Sequence, residues 1–113
     1  MTATKPTTDD DLRAAVAELP KLPWLAADFV GADCRIGDDH DGYPSVWVRL
    51  IAKDATVERP GFFDEFRLTS DRVREHLRDA GVLGDRFMFD DLITETELRE
   101  MLEDIANEHR ALA

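Results

Sequence analysis

The chain has 113 residues, the length of one domain, and sets 14 lysines and arginines against 25 aspartates and glutamates, a formal net charge of −11. That charge, with a pI near 4.5, excludes nucleic acid or an anionic membrane held through a general positive field, and 43% hydrophobic residues exclude a fully disordered chain. No apolar run approaches the ~20 residues that span a bilayer, and the one cysteine excludes an internal disulfide framework or a multi-cysteine metal site.

Residues 1–8 read as a disordered tail and residues 9–113 as a single domain. Met1 to Pro6 lack the apolar segment of a signal peptide and acids follow, so with an unpaired Cys34 the expected compartment is the cytoplasm. Thr8 can cap a first helix, and Asp9, Asp10 and Asp11 suit its positive end. Leu12, Ala15, Val16 and Leu19 then recur at helical spacing until Pro20. Pro23 fits the first position of a short helical turn that Gly31 would close, with Trp24 and Phe29 as core anchors.

Ala32, Cys34 and Ile36 alternate with Asp33 and Arg35, which predicts a half-buried strand. Residues 37–43 are a turn, with Asp41-Gly42 as the hairpin signal. Residues 45–52 are the strongest strand: Val46, Val48 and Leu50 line one face, and Trp47 and Ile51 the other, with Arg49 between them. A strand apolar on both faces is central in its sheet or meets a partner. Residues 54–61 read as a loop. Phe62, Phe63, Phe66, Val73, Leu77 and Ala80 then mark a helix, which Thr69-Ser70 would interrupt and Gly81 would stop.

Residues 86–89 predict a short third strand, ended by Asp90-Asp91. Thr94-Glu95-Thr96-Glu97 is a capping box, and Leu98, Met101, Leu102, Ile105 and Leu112 form the buried stripe expected of the last helix. The sum is a two-layer α+β domain, with a small three-stranded mixed sheet packed against helices in the order α-β-β-α-β-α. Strands two and three flank a helix, so they are expected to run parallel. Whether the first helix and the Trp24 segment cover Trp47 and Ile51, or leave them for a homodimer, is open at this level.

No catalytic constellation emerges, and neither a metal nor a cofactor is predicted. The loop 37–42 imitates a calcium loop, but aligning Gly42 with the loop glycine leaves Gly37 and Val48 where Asp and Glu are needed. His40, His76 and His109 share no metal-ligand spacing, and Cys34 reads as a small buried residue. Ser45 and Ser70 lie in no nucleophile elbow, and the six glycines form no phosphate loop. Arg67, Arg74 and Arg78 interleave with acids as ordinary helix-surface pairs.

The charge itself is uneven: residues 91–113 set Arg99 and Arg110 against seven acids. The expected function is therefore a small, non-catalytic, intracellular module that binds a basic protein partner. Its contacts would be Glu100, Glu103, Asp104 and Glu108 on the last helix, with Asp38, Asp39 and Asp41 of the hairpin turn as a second group. Acidic immunity proteins and antitoxins that cover the basic site of a nuclease are of this physical type. Two alternatives stand beside it. One is a metal-dependent enzyme or accessory subunit using Asp54, Asp90 and Asp91 with Arg86; the other is a structural homodimer through Trp47 and Ile51.

Overall fold

The computed structural model describes the backbone of residues 8–112 and the side chains of residues 8–111. Apart from Thr8, the predicted tail lies outside the described residues, as does the side chain of Leu112. The elements are α1 (Asp9–Glu18), a 3₁₀ turn (Leu19–Lys21), α2 (Pro23–Ala26), β1 (Phe29–Asp38), β2 (Pro44–Ala52), α3 (Asp54–Val57), α4 (Phe62–Asp79), β3 (Phe87–Thr94) and α5 (Glu95–Leu112). The result is an α+β fold on a three-stranded mixed sheet of order β1-β2-β3, with β1 and β2 antiparallel and β2 and β3 parallel, as the sequence predicts.

Local chemistry sets the element ends. The Thr8 hydroxyl accepts from the Asp11 amide at 3.1 Å while the Asp11 carboxylate accepts from the Thr8 amide at 3.2 Å, a reciprocal cap on α1. Pro20 lies in the 3₁₀ turn that ends α1, and Pro23 opens α2. In the hairpin, the Asp39 carboxylate accepts from the amides of Asp41 and Tyr43, and Gly42 takes φ +84°. At the end of α4, Gly81 sits at φ +74°, and the Val82 amide donates to the Leu77 carbonyl at 3.2 Å, which closes the last turn.

The core lies on one face of the sheet. Val46, Val48, Leu50 and Ala52 of β2 are buried with Leu12, Val16 and Leu19 from the first helical segment and Phe62, Val73 and Leu77 from α4. Leu25, Phe29, Leu83 and Met88 complete it, and Trp24 packs half-buried against it. α1 and the Trp24 segment thus join the layer opposite Trp47 and Ile51 and do not cover those two residues.

Several expectations need correction. Gly31 does not close a helix; β1 already begins at Phe29, with a register shift between Phe29 and Gly31. The loop after β2 contains one helical turn, α3. α4 runs through Thr69-Ser70 unbroken, because Ser70 falls on the core-facing stripe of Phe62, Phe66, Val73 and Leu77 and is buried there. Phe63 and Ala80 lie off that stripe and are exposed. β3 extends to Thr94, so Asp90 and Asp91 lie inside it and do not end it. The largest correction concerns α5: Leu98 and Met101 are only half-buried, and Leu102 and Ile105 are 55% and 44% exposed.

Ser70 generates a stability prediction. Its Oγ is buried and has no hydrogen-bond partner among the described residues. An unsatisfied buried hydroxyl costs about 1–3 kcal/mol. Ser70→Ala is expected to raise the thermal midpoint by an amount equivalent to about 1 kcal/mol, whereas Leu77→Ala should cost about 2–5 kcal/mol. A clear loss of stability in Ser70→Ala, followed by circular dichroism, would mean that the hydroxyl is satisfied.

Candidate functional site

The face of the sheet turned away from the core is built in cross-strand rows. Register places Gly31 beside Ile51 and Ile51 beside Ile93; Asp33, Arg49 and Asp91 form the next row, and Arg35, Trp47 and Phe89 the one after. The middle row is ionic. Arg49 Nε and Nη2 donate to the two Asp33 oxygens at 2.9 and 2.5 Å, and this pair keeps the guanidinium pKa above its ordinary value. The aromatic row is a stack. The Trp47 and Phe89 rings lie 5.4 Å apart at 20°, and the Arg35 guanidinium sits 4.0 Å from the Trp47 ring centre. Trp47 and Ile51 thus lie two rows apart on this face, with the charged Arg49 row between them as the sequence predicts.

α5 leaves β3 without a loop and crosses the apolar row. Its start is fixed by hydrogen bonds. The Thr94 hydroxyl accepts from the Glu97 amide at 3.1 Å, and the Glu97 carboxylate accepts from the Thr94 amide at 3.3 Å, the capping box read from the sequence. Asp54, just past the end of β2 that pairs with the end of β3, adds a clamp: its carboxylate accepts from the Thr96 amide at 3.2 Å and from the Thr96 hydroxyl. One turn further on, Arg49 Nη1 reaches Met101 Sδ at 3.9 Å. Beyond Met101 every described side chain of α5 is exposed.

Between α5 and the adjoining ends of β1 and β2 lies a shallow groove of about 460 Å³. Val30, Gly31 and Ile51 form one side and Leu98, Leu102 and Ala106 the other, with Glu95, Arg99 and Glu103 among its lining. The sequence does not mark this groove, because Gly31 follows an apparent helical turn as a stop would and Leu102 falls on the periodic apolar stripe of a core-facing helix. The signal that was available is the apolar pair Phe29-Val30 running straight into the alternating strand.

The predicted acids are dispersed. Glu100, Glu103, Asp104 and Glu108 are exposed along α5. Asp38, Asp39 and Asp41 sit at the opposite end of β2, where Asp38 and Asp41 are exposed and Asp39 is committed to the turn. The trio Asp54, Asp90 and Asp91 is not brought together. Strand alternation sends Asp90 and Asp91 to opposite faces; Asp90 lies 3.5 Å from Arg74, and Asp54 is held by Thr96. Arg86 is also engaged elsewhere, donating to Asp9 at 2.8 Å and to the Val82 and Leu83 carbonyls. Among the described residues, no three His, Cys, Asp or Glu side chains gather in a way that could hold a metal ion. Cys34 is half-buried, and burial pushes its thiol pKa up, away from the reactive thiolate. Among the described residues, no helix is long and apolar enough to cross a membrane.

Comparison with protein families, curated proteins and solved structures finds no match to this chain. The class is therefore defined by the fold itself: a two-layer α+β domain whose second sheet face is only partly covered.

The Asp54 clamp makes a pH prediction. Hydrogen bonds from Thr96 hold the Asp54 carboxyl below its ordinary pKa. A group depressed in this way contributes stability above its unfolded pKa and loses it as pH falls through the lower folded value. Urea stability measured from about pH 6 to about pH 2 should therefore fall more steeply in wild type than in Thr96→Val, and the Thr96 amide resonance should track the Asp54 titration. Parallel stability curves would mean the clamp contributes nothing.

Proposed function

We propose that the chain is a non-catalytic protein-binding module that acts through α5 and takes a basic partner. The observation that carries this reading is α5 itself, an amphipathic helix whose apolar side chains Leu102 and Ile105 stay exposed while Glu100 lies on its opposite side and Asp104 and Glu108 on its flank. A helix that hides so little of its apolar face within its own chain is suited to hiding it against another. The excess of acid on the same helix favours a positively charged surface and speeds encounter with it. In physical type this is the arrangement of an immunity protein, antitoxin or small regulator in the cytoplasm, where the half-buried Cys34 stays reduced.

A second reading is a homodimer closed on the open sheet face. It is favoured by Phe89, which is 41% exposed beside Trp47. Light scattering decides it: a wild type that stays monomeric at high concentration removes this reading, and a dimer should be split by Trp47→Asp.

For the leading reading, the protein retained by the tagged chain from its own host at low salt should be purified and rebound across an ionic-strength series. Affinity is expected to fall steeply with salt, and the combined change of Glu100, Glu103, Asp104 and Glu108 to Lys to weaken binding by about tenfold or more at low salt. Affinity indifferent to both would remove the electrostatic basis of the reading.

A further inference from the structure

We infer that the outer edge of β1 pairs with β1 of a second copy of this chain, antiparallel about a two-fold axis at Cys34, to make one continuous sheet. The register shows which backbone groups are available. The Asp39 amide donates to the Tyr43 carbonyl at 2.9 Å and the Lys53 amide to the Asp28 carbonyl at 3.2 Å, so the odd-numbered residues from 43 to 53 point their backbone groups at β1. Their partners Gly31, Asp33, Arg35 and Gly37 face them, and alternation turns the N–H and C=O of Ala32, Cys34 and Ile36 outward. β1 lies at the edge of the sheet, and among the described residues no hydrogen bond is made to those outward groups.

β3 forms the other edge, and its outward groups are occupied. Arg74 Nη2 donates to the Met88 carbonyl at 3.3 Å, the Asp91 carboxylate accepts from the Leu92 amide at 2.9 Å, and the Glu97 carboxylate accepts from the Thr94 amide at 3.3 Å. Asp90 adds a charge on the core-facing side of the same edge. Such features keep an edge strand from pairing with another chain. Residues 31–37 of β1 hold no Lys and no Pro, and their charges, Asp33 and Arg35, both lie on the open face.

A foreign strand could meet the same backbone groups; the side chains select a second copy. With the axis at Cys34, the outward groups of Ala32, Cys34 and Ile36 meet those of Ile36, Cys34 and Ala32 in the copy, and each pair exchanges its bonds. Asp33 then stands opposite Arg35 of the copy, and Arg35 opposite its Asp33, in the closer, non-hydrogen-bonded pairs. An axis at Asp33 or at Arg35 would set like charges opposite each other, and one at Ala32 or Ile36 would leave neither charge facing its counterpart. The register shift between Phe29 and Gly31 and the turn held by Asp39 bound the regular stretch, and Cys34 stands near its middle. On the core-facing side Ala32 opposes Ile36, small against large, which joins the partly buried apolar margins of the two cores. Gly31 opposes Gly37, so the row that α5 reaches from the open face carries no side chain at the join. The net charge of −11 on each copy opposes association; at ~0.15 M salt it is screened beyond about 8 Å, and pairs in contact are screened less.

The test uses the full chain. Sedimentation equilibrium at ~0.15 M salt should find a monomer–dimer equilibrium, and hydrogen exchange followed by NMR should show the Ala32, Cys34 and Ile36 amides gaining protection as concentration rises. Cys34 is the only cysteine. Facing residues of a bonded antiparallel pair stand about 5.5 Å apart at Cα, within disulfide reach. Diamide, which takes up the two thiol hydrogens, should therefore trap the dimer through Cys34. Asp33→Arg and Arg35→Asp each set like charges across the axis twice, and each should dimerise about tenfold more weakly or worse. Mixed together, the two variants set opposite charges across the axis and should regain about tenfold, which a loss of folding would not restore. Ala32→Pro removes an outward N–H and no bond to β2, so it is expected to keep the β2 and β3 amide spectrum and to abolish the dimer. A chain still monomeric at ~1 mM overturns the edge pairing and leaves the reading of α5 standing. A mixture no tighter than either variant alone overturns it as well. A dimer whose β1 amides gain no protection, and which Trp47→Asp splits, joins the copies by their open sheet faces and overturns the edge.

Discussion

Strand β2 sets out apolar side chains on both of its faces, and among the described residues a full layer of covering helices lies on only one of them. Val46, Val48, Leu50 and Ala52 are hidden by the layer that holds α1 and α4. A tight hairpin joins β1 to β2, so no helix can enter there. The crossover from β2 to β3 spends its long helix, α4, on the face already shared with α1. Among the described residues only α5 is left for Trp47, Ile51 and Phe89, and it starts directly from the last residue of β3. A helix with no connecting loop has little freedom to choose where it lies, and it covers the Ile51 end and leaves the Trp47 end to the stack with Phe89.

The arginines tie these elements together more than they hold them. Arg86 joins the start of α1 to the segment before β3, Arg59 bridges Asp28 and Glu65, and Arg49 couples β1 to the first turns of α5. Exposed pairs of this kind contribute only about 0–1 kcal/mol each, whereas burying a side chain such as Leu77 is worth about 1.5–3 kcal/mol. The core therefore carries the stability and the ion pairs fix relative orientation. Many of the described arginines are drawn into such pairs, and the acid excess that remains is densest on α5.

What was legible in the sequence follows from this division. The Thr8 and Thr94 caps, the Gly81 stop, the hairpin at Gly42 and the alternation in β1 and β2 are set by neighbours within a few residues, and each appears as read. The parallel pairing of β3 was legible too, because the length of the α4 segment leaves room for a crossover. The extension of β3 through Asp90 and Asp91 was not. An edge strand tolerates carboxylates that a central strand would reject, and nothing local reveals which strand lies at the edge. The helical turn of α3 and the continuity of α4 at Ser70 likewise depend on what packs against them.

α5 is where local and tertiary signals part, and the same fact explains why its helix was readable and its burial was not. A helix that buries little must be stable on its own, and isolated helices of this length are marginal in water. α5 answers with a capping box, acids in its first turn, and His109 and Arg110 in its last, each favourable to the helix dipole. Asp54 then pins its orientation through Thr96. Its apolar side chains are thus held in place before anything touches them, and a surface ordered in advance loses less conformational entropy when it is covered. Dense local helix signals beside an uncovered apolar stripe mark an element built to be complete in shape and incomplete in burial.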